Sequence, residues 1–289
     1  MLSSALLAAD AVHEMTLVEA IILGITEGLT EYLPVSSTGH LLLASHVLGL
    51  TEGTRKAASD SYSIAIQIGA ILAVLWLYPG RVFSMIKGLM GRDRAGLNLA
   101  INTCAAFLPA AVIGLTFGTM IKEYLFGLWP ITFAWLAGGL AILLVARHFK
   151  GSDHSRDLSL EGLTIKKSLI IGLIQCIAMW PGVSRSLVTI LGGMLVGLPV
   201  AASVEFSFLL GLVTLGAATS YELLKEGPGI ILQFGLVSPA VGIMAAFFSA
   251  VAAVKWMVNY LNRHGLEIFG YYRVALALGV GVLILTGLL

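Results

Sequence analysis

Six apolar runs, each long enough to cross a lipid bilayer as a helix, constrain this chain more than any other feature. A hydrocarbon core of roughly 30 Å takes about 20 helical residues, and charged residues are largely confined to the segments between the runs. Only 11% of the residues are Asp, Glu, Lys or Arg, and the mean hydropathy is +0.94. So few charges cannot cover a water-exposed surface, which excludes a cytosolic globule, a disordered chain and a secreted disulfide scaffold. The runs cover about 61–79, 97–120, 128–147, 203–222, 231–254 and 268–288.

The overall charge and the cysteines indicate little about partners. The net charge is +1, and without a basic excess the chain has no means of neutralising phosphates along a nucleic acid. Cys104 and Cys176 lie in apolar stretches and read as small buried hydrophobic residues. We therefore predict one all-α, polytopic integral membrane domain over 1–289, with the bilayer as its surroundings, no nucleic-acid partner and an oligomeric state that the sequence does not indicate.

Two further apolar stretches, about 15–50 and 167–200, are each interrupted near the middle by proline, serine and glycine. The interruptions are LPVSSTGH (Leu33 to His40) and WPGVSRS (Trp180 to Ser186). Non-helical backbone at membrane depth persists only where protein or a water-filled cavity satisfies its polar groups. Each stretch is either two full spans or a re-entrant helix–loop–helix hairpin, and the short half-lengths favour the hairpin.

The distribution of basic residues predicts an inverted repeat. The predicted loops 81–94, 147–167 and 255–273, the last of which includes Arg273, hold most of the lysines and arginines. This places 81–94, 147–167 and 255–267 in the cytoplasm and leaves 51–60 and the C-terminus outside. Three spans follow each hairpin, so the two hairpins enter from opposite faces and meet near the middle. We predict pseudo-repeats over about 15–147 and 165–289, an arrangement that builds membrane sites from interrupted helices.

Arg185 is the one charged side chain between Ser168 and Val204, and a guanidinium inside a bilayer is costly. One interpretation is a structural arginine that caps carbonyls or pairs with a neighbouring helix. The other is an anion site, because a helix beginning near Ser184 would point free N–H groups at a ligand and arginine binds phosphate bidentately. Candidate substrate-binding residues in this segment are Gly182, Ser184, Ser186 and Thr189.

The first hairpin carries acids and hydroxyls. Glu27 and Glu31 lie four residues apart and so project from one face of a helix. Two such carboxylates in a low dielectric need a cation, a metal or a shared proton, and Mg²⁺ commonly pairs one or two carboxylates with substrate phosphates. The following break presents a nucleophile and a proton carrier, or merely helix-capping hydroxyls. Its candidate residues are Ser36, Ser37, Thr38 and His40.

The strings EGLTEYLPVSSTGH (Glu27 to His40) and WPGVSRSLVT (Trp180 to Thr189) closely resemble the two signature segments of the undecaprenyl-diphosphate phosphatase, or bacitracin-resistance, family. IQIGAILAV (Ile66 to Val74) and EFSFLLG (Glu205 to Gly211) look similar too, and the order of the blocks matches along the chain. Two positions depart from the family pattern. Leu187 replaces a common glycine, and Ser63 stands where members often carry an acid.

The resemblance implies a multi-pass enzyme of the bacterial inner membrane that removes the terminal phosphate of undecaprenyl diphosphate, returning the lipid carrier to peptidoglycan synthesis and conferring bacitracin resistance. It implies two re-entrant hairpins, a site open to the periplasm and a divalent cation, Mg²⁺ or Ca²⁺, at Glu27 and Glu31. By position, the implied catalytic residues are Glu27, Glu31, Ser37, His40 and Arg185. A covalent route through Ser37 and a direct attack by water both stay open.

A transporter is the alternative function. Inverted repeats with broken helices are a common transporter design, and Arg185 with the two glutamates could bind and move a lipid phosphate or another anion. The two signature segments favour the enzyme, whereas the architecture alone does not discriminate.

Overall fold

Helices account for the regular secondary structure of the residues that the computed structural model describes, 15–149 and 159–289. In these two ranges the chain forms eleven α-helices and two short 3-10 helices, Leu160–Gly162 and Cys176–Met179. The all-α prediction is therefore confirmed for the described residues. The α-helices are α1 Leu17–Glu31, α2 Ser37–Val47, α3 Gly53–Leu77, α4 Pro79–Leu89, α5 Arg94–Leu125, α6 Leu128–Phe149, α7 Ile165–Gln175, α8 Arg185–Leu195, α9 Val200–Phe234, α10 Val237–Leu261 and α11 Glu267–Leu285.

Six of these helices are long and apolar enough to cross a membrane, as predicted. The qualifying segments are Ser59–Leu77, Arg94–Ile121, Leu128–His148, Val200–Lys225, Val237–Leu261 and Glu267–Leu285. The fifth begins six residues later than the predicted 231, because α9 continues to Phe234 before the chain turns at Gly235, whose φ is +64°. Many large apolar side chains on these helices are exposed, for example Leu115 and Phe248, as expected of surfaces that face lipid.

Both interrupted stretches form a helix, a break and a second helix. In the first, α1 and α2 flank residues 32–36; in the second, α7 and a 3-10 turn precede residues 180–184 and α8. At 1.5 Å per residue α1 is about 22 Å long and α2 about 16 Å, so each is shorter than a roughly 30 Å hydrocarbon core. The helices of each pair pack against one another. Their re-entrant course through a bilayer remains a prediction.

The two halves of the chain pack across each other. Helix α1 lies mainly against α10, and α7 lies mainly against α5, while α3 packs on α9 and α6 on α11. Glycine permits the closest approaches, since a Cβ on Gly24 would lie 2.4 Å from the Gly242 carbonyl oxygen and one on Gly172 would lie 2.4 Å from that of Ala106. Small residues serve this purpose in membrane helix packing generally. Each interrupted stretch is thus held by a helix of the other half.

The basic segment 81–94 is not the loop that we predicted. Its first part belongs to α4, which begins with Pro79 at the favourable first position of a helix and packs on α5. Arg81 of α4 donates from Nε to Glu205 Oε1 of α9 at 2.7 Å and from Nη1 to Glu161 Oε1 at 2.8 Å. The hydrogen bond from Arg81 to Glu161 holds the pKa of the Glu161 carboxyl below its usual range. Part of the predicted segment 147–167 lies outside the described residues.

The largest hydrophobic cluster among the described residues includes Tyr32 and Val35 of the first break. Its buried members include Tyr32, Leu187, Phe208 and Val254 from four different segments. The Tyr32 and Phe208 rings meet edge to face with centroids 5.2 Å apart, a favourable aromatic geometry. The apolar side chains of the first break are therefore packed within this cluster, which restricts where they can go.

Candidate active site

The two breaks end in the same unusual backbone conformation. Ser36 has φ +76° and Ser184 has φ +81°, and these are the only non-glycine residues with positive φ in the described ranges. Each is the N-cap of the helix that follows, accepting from the backbone N–H of Gly39 and Leu187 respectively. Two helix N-termini, which favour anionic ligands, are thereby presented at the site. The predicted start of a helix beside Ser184 is confirmed, since α8 begins at Arg185.

The side chains that directly follow the two breaks, Ser37 and Arg185, converge on Glu31. Arg185 Nη2 donates to Glu31 Oε1 at 2.8 Å, and Ser37 Oγ donates to Glu31 Oε2. The Glu31 and Arg185 side chains are only 7% and 11% exposed, so this ion pair is largely removed from water. The structure therefore brings together three of the five predicted catalytic residues, from segments about 150 positions apart in the chain.

The Arg185 guanidinium is enclosed on several sides. Its Nη1 donates to the Ser207 carbonyl at 3.0 Å, and its central carbon lies 5.6 Å from the centroid of the Tyr32 ring, within range of a cation–π interaction. A Cβ on Gly211 would lie 2.1 Å from Nη1. Among the described residues, the buried Nε has no hydrogen-bond partner.

Glu27 is fully buried, and neither of its carboxylate oxygens has a hydrogen-bond partner within the part of the chain that the structure describes. An unpartnered buried carboxylate is strongly disfavoured in its charged form, so the group needs a proton, a cation or a ligand. It lies one turn before Glu31 on α1, on the helix face that carries both acids. Among the described residues no three His, Cys, Asp or Glu side chains cluster to hold a metal. Any cation here would rely on these two carboxylates.

His40 does not contact the Glu31 cluster through any hydrogen bond that we observe. Its Nδ1 bonds with the Ser36 carbonyl and its Nε2 with the Tyr272 hydroxyl, both at 2.7 Å. The ring stacks on Tyr272 and meets Trp135 edge to face. These contacts support the start of α2, and they leave the predicted role of His40 as a proton carrier a prediction.

The predicted substrate-binding residues are mostly engaged with protein. Ser186 Oγ donates to the Leu33 carbonyl at 2.9 Å and so ties the second break to the first. Thr189 is fully buried and shares a hydrogen bond with Ser207. Gly182 has φ +96°, and its close packing against Ile131 and Ala134 leaves no room for a Cβ. Ser36 and Ser184 act as the helix caps described above, and Thr38 lies half-buried in the first turn of α2.

Arg273 is a residue whose position the sequence analysis got wrong. We counted it among the loop charges, yet its side chain is 0% exposed and donates to carbonyls of both breaks, Pro34 and Gly182. It lies inside the run 268–288, and a charge within a predicted span was the signal that could have identified it. Glu27, Glu31 and Arg185 are therefore not the complete set of buried charges.

The two departures from the family pattern have local explanations. Leu187 is 2% exposed and belongs to the same hydrophobic cluster as Tyr32 and Val35, so its side chain packs inward. Ser63 Oγ donates to the Ser59 carbonyl one turn earlier in α3. Neither residue has a hydrogen bond to the Glu31 cluster among the contacts that we observe.

Comparison with known proteins agrees with the resemblance. The family model described as bacitracin resistance protein BacA matches residues 20–279. The chain is 43% identical to an undecaprenyl-diphosphatase of Sorangium cellulosum, with 89% of this chain and 83% of that protein covered. It is 42% identical to undecaprenyl-diphosphatase 2 of Rhodospirillum rubrum (91% and 93% covered) and 40% identical to an undecaprenyl-diphosphatase of Acinetobacter baumannii (93% and 94% covered). This chain belongs to the bacitracin resistance protein BacA family.

Proposed function

We propose that this protein hydrolyses undecaprenyl diphosphate to undecaprenyl phosphate and inorganic phosphate, within the membrane, and so recycles the lipid carrier of cell-wall synthesis. The observation that supports this most is the buried cluster in which Glu31 joins Arg185 and Ser37. It combines a cation for phosphate oxygens with a hydroxyl whose proton already points at a carboxylate. Phosphoryl transfer depends chiefly on such positioning and charge stabilisation.

In the proposed reaction the diphosphate lies between the N-termini of α2 and α8. The Arg185 guanidinium, which faces Glu31, and the amides near Ser184 bind its oxygens, since arginine is suited to planar, bidentate contacts. Tyr32 and Val35 of the first break and Leu187 of α8 belong to one buried hydrophobic cluster. The site therefore holds its donors in place before the substrate arrives.

Ser37 is the proposed nucleophile, because its hydroxyl donates to Glu31. Its oxygen forms a bond to the terminal phosphorus, its proton passes to Glu31, and undecaprenyl phosphate leaves with the electrons of the broken P–O bond. Water then attacks the phosphoserine phosphorus, the bond to the Ser37 oxygen breaks, and that oxygen takes the proton from Glu31. The proton that water loses passes to solvent, and phosphate is released. In the alternative route water attacks phosphorus directly and gives its proton to Glu31, while Ser37 orients that water.

A divalent cation fits the orphaned carboxylate oxygens of Glu27. Glu27 and Glu31 would hold it, and Mg²⁺ characteristically accepts one or two carboxylates and completes its shell with water and phosphate oxygens. When bound, such an ion neutralises charge on the transferring phosphoryl group. Because Arg185 and Ser37 already occupy Glu31, we assign the larger share of the binding to Glu27.

Phosphate release from undecaprenyl diphosphate in detergent micelles tests the function. We expect turnover by the purified protein, inhibition by a chelator, and loss of about 10²-fold or more in Glu31→Gln and Arg185→Ala, as for other removed charge-stabilising groups. No phosphate release by the folded wild-type protein would contradict hydrolysis and favour the transporter.

A second experiment distinguishes the covalent route from direct attack by water. The reaction is stopped with acid during the first turnover, and phosphate found on Ser37 of the wild type, absent in Ser37→Ala, supports the covalent route.

We further propose that the protein resides in the bacterial inner membrane with the site accessible from the periplasm. The support is the concentration of basic residues in 81–94 and 255–267, which indicates a cytoplasmic location for those segments. None of the relatives compared above carries the name of a transporter, and no contact in the site favours that alternative.

A further inference from the structure

Arg273 joins three separate parts of the protein. From α11 its guanidinium donates to the Pro34 carbonyl of the first break at 3.2 Å and to the Gly182 carbonyl of the second at 2.9 Å. It also donates to the carbonyls of Ala134 and Trp135 in α6, at 2.8 and 3.3 Å. All three guanidinium nitrogens are therefore used, and their partners are backbone carbonyls.

Two of the four carbonyls that Arg273 binds, those of Pro34 and Gly182, are ones that the helices cannot satisfy. Pro34 and Gly182 lie in the breaks, between the end of one helix and the start of the next. Buried backbone carbonyls without partners are disfavoured, and this is acute where no water is present. One rigid guanidinium fork, with five donors in a plane, satisfies both breaks together and fixes their separation.

The chain accommodates this guanidinium at a glycine of α6. A Cβ on Gly138 would lie 2.2 Å from Arg273 Nη2 and 2.7 Å from its central carbon. Arg185 lies against Gly211 of α9 in the same way. Each buried arginine thus occupies space that a helical glycine leaves open.

The positions of the reacting groups depend on these breaks. Ser37 begins α2 directly after the first break, and Arg185 begins α8 directly after the second. Their common partner is Glu31, so a change in the separation of the breaks changes the distance between the nucleophile and the phosphate-binding arginine. One further hydrogen bond, from Ser186 Oγ to the Leu33 carbonyl, also links these two segments.

We propose that Arg273, seated on Gly138, is a positioning residue that holds the two breaks of the active site at one fixed separation without touching the substrate. This inference deepens the proposed phosphatase activity and rests on it for its effect on turnover. Its structural part, the fixing of both breaks, can be tested without any substrate.

Three variants test the proposal: Arg273→Met, which removes all the donors, Arg273→Lys, which keeps the charge but not the fork, and Gly138→Ala, which displaces the guanidinium. Gly279→Ala is the matched control, because a Cβ on Gly279 of α11 meets nothing within 4 Å. Hydrogen–deuterium exchange in detergent should rise in residues 32–40 and 180–189 of the three variants. We expect exchange in α3 and α9 to stay unchanged, and no change anywhere in Gly279→Ala.

Turnover of undecaprenyl diphosphate supplies the second measurement. A displacement of about 1 Å can lower a rate by about 10²-fold, so we expect Arg273→Met and Gly138→Ala to lose about that much in kcat per folded molecule, with a smaller rise in KM. Arg273→Lys should fall between them and the wild type, since an ammonium donates three hydrogen bonds at most.

Several results would overturn the proposal. One is normal exchange in both breaks of the variants, and another is exchange that rises uniformly through all helices. A third is failure of all three variants to fold beside a normal control, which would make Arg273 a general folding element. If the breaks loosen as expected but the wild-type protein releases no phosphate, then the proposed activity fails and the positioning role stands.

Discussion

At the scale of single residues, Glu27 and Glu31 are both buried acids on one helix, but their surroundings differ. Glu31 is neutralised by Arg185 and receives the Ser37 proton, whereas Glu27 has no partner for either oxygen. Burial disfavours the charged form of an isolated carboxylate, and removing one member of a buried pair strands the other charge. The two acids should therefore affect stability in opposite directions.

We predict that Glu27→Gln raises the thermal unfolding temperature in detergent while abolishing turnover, because an amide is easier to bury than an unpaired carboxylate. Glu31→Gln should lower that temperature, since loss of a buried pair costs about 3–5 kcal/mol. Differential scanning fluorimetry without added metal measures both. Glu52→Gln, at an exposed position whose side chain makes no capping hydrogen bond, is the control. A shift of the same sign in both variants would contradict this assignment.

The space beside Arg185 gives a second prediction at this scale. Gly211→Ala places a methyl group against the guanidinium, and a displacement of that size should lower kcat/KM by about 10²-fold. Gly216→Ala is the control on the same helix, where a Cβ meets nothing within 4 Å. Equal activity of the two variants in the phosphate-release assay would show that Arg185 tolerates the displacement.

At the scale of helices, the interrupted stretches depend on the opposite half of the chain. Helix α1 packs against α10 and α7 against α5, at distances that only glycine allows at Gly24 and Gly172. Helices as short as α1 and α7 form few hydrogen bonds of their own. The contacts with α10 and α5 and the hydrogen bonds at the breaks therefore fix their position. Ser36 and Ser184, which precede the second helix of each interrupted stretch, share the same positive-φ backbone conformation.

Gly172→Ala should separate α7 from α5, because its Cβ would meet the Ala106 carbonyl oxygen. Overpacking of this kind costs about 1–3 kcal/mol, and we expect a lower unfolding temperature together with reduced turnover, since α7 leads into the second break. Gly118→Ala in α5, with open space around it, should behave like the wild type. An unchanged unfolding temperature for Gly172→Ala would contradict the contact.

At the scale of the whole molecule, orientation in the membrane rests on the basic segments alone. In a background without Cys104 and Cys176, we predict that Glu52→Cys reacts with a membrane-impermeant maleimide in intact spheroplasts. Arg92→Cys should react only after the membrane is permeabilised, because it lies in the basic segment 81–94. Phosphate release confirms that each variant is folded. Labelling in the reverse pattern would invert the proposed topology and place the site on the cytoplasmic side.

Much of the architecture followed from local sequence properties. Span positions depend on hydrophobicity and length, so five of the six were predicted to within three residues at each end. The exception, the start of α10, failed because α9 continues past the expected end of its span. Proline, serine and glycine marked both breaks for the same local reason. The amphipathic α4 was missed, because its charges resembled those of a loop.

The membrane class, the spans, the two breaks and the chemically active residue types could be predicted from the sequence, since each depends on composition or on neighbours along the chain. Which of those residues meet followed from the packing of distant segments. That packing joined Glu31 to Arg185 and Ser37, left Glu27 without a partner, and moved Arg273 from the loop charges to the backbone of both breaks. The physical reason is that a buried charge is defined by what surrounds it in space, and those partners lie up to 239 residues away along the chain.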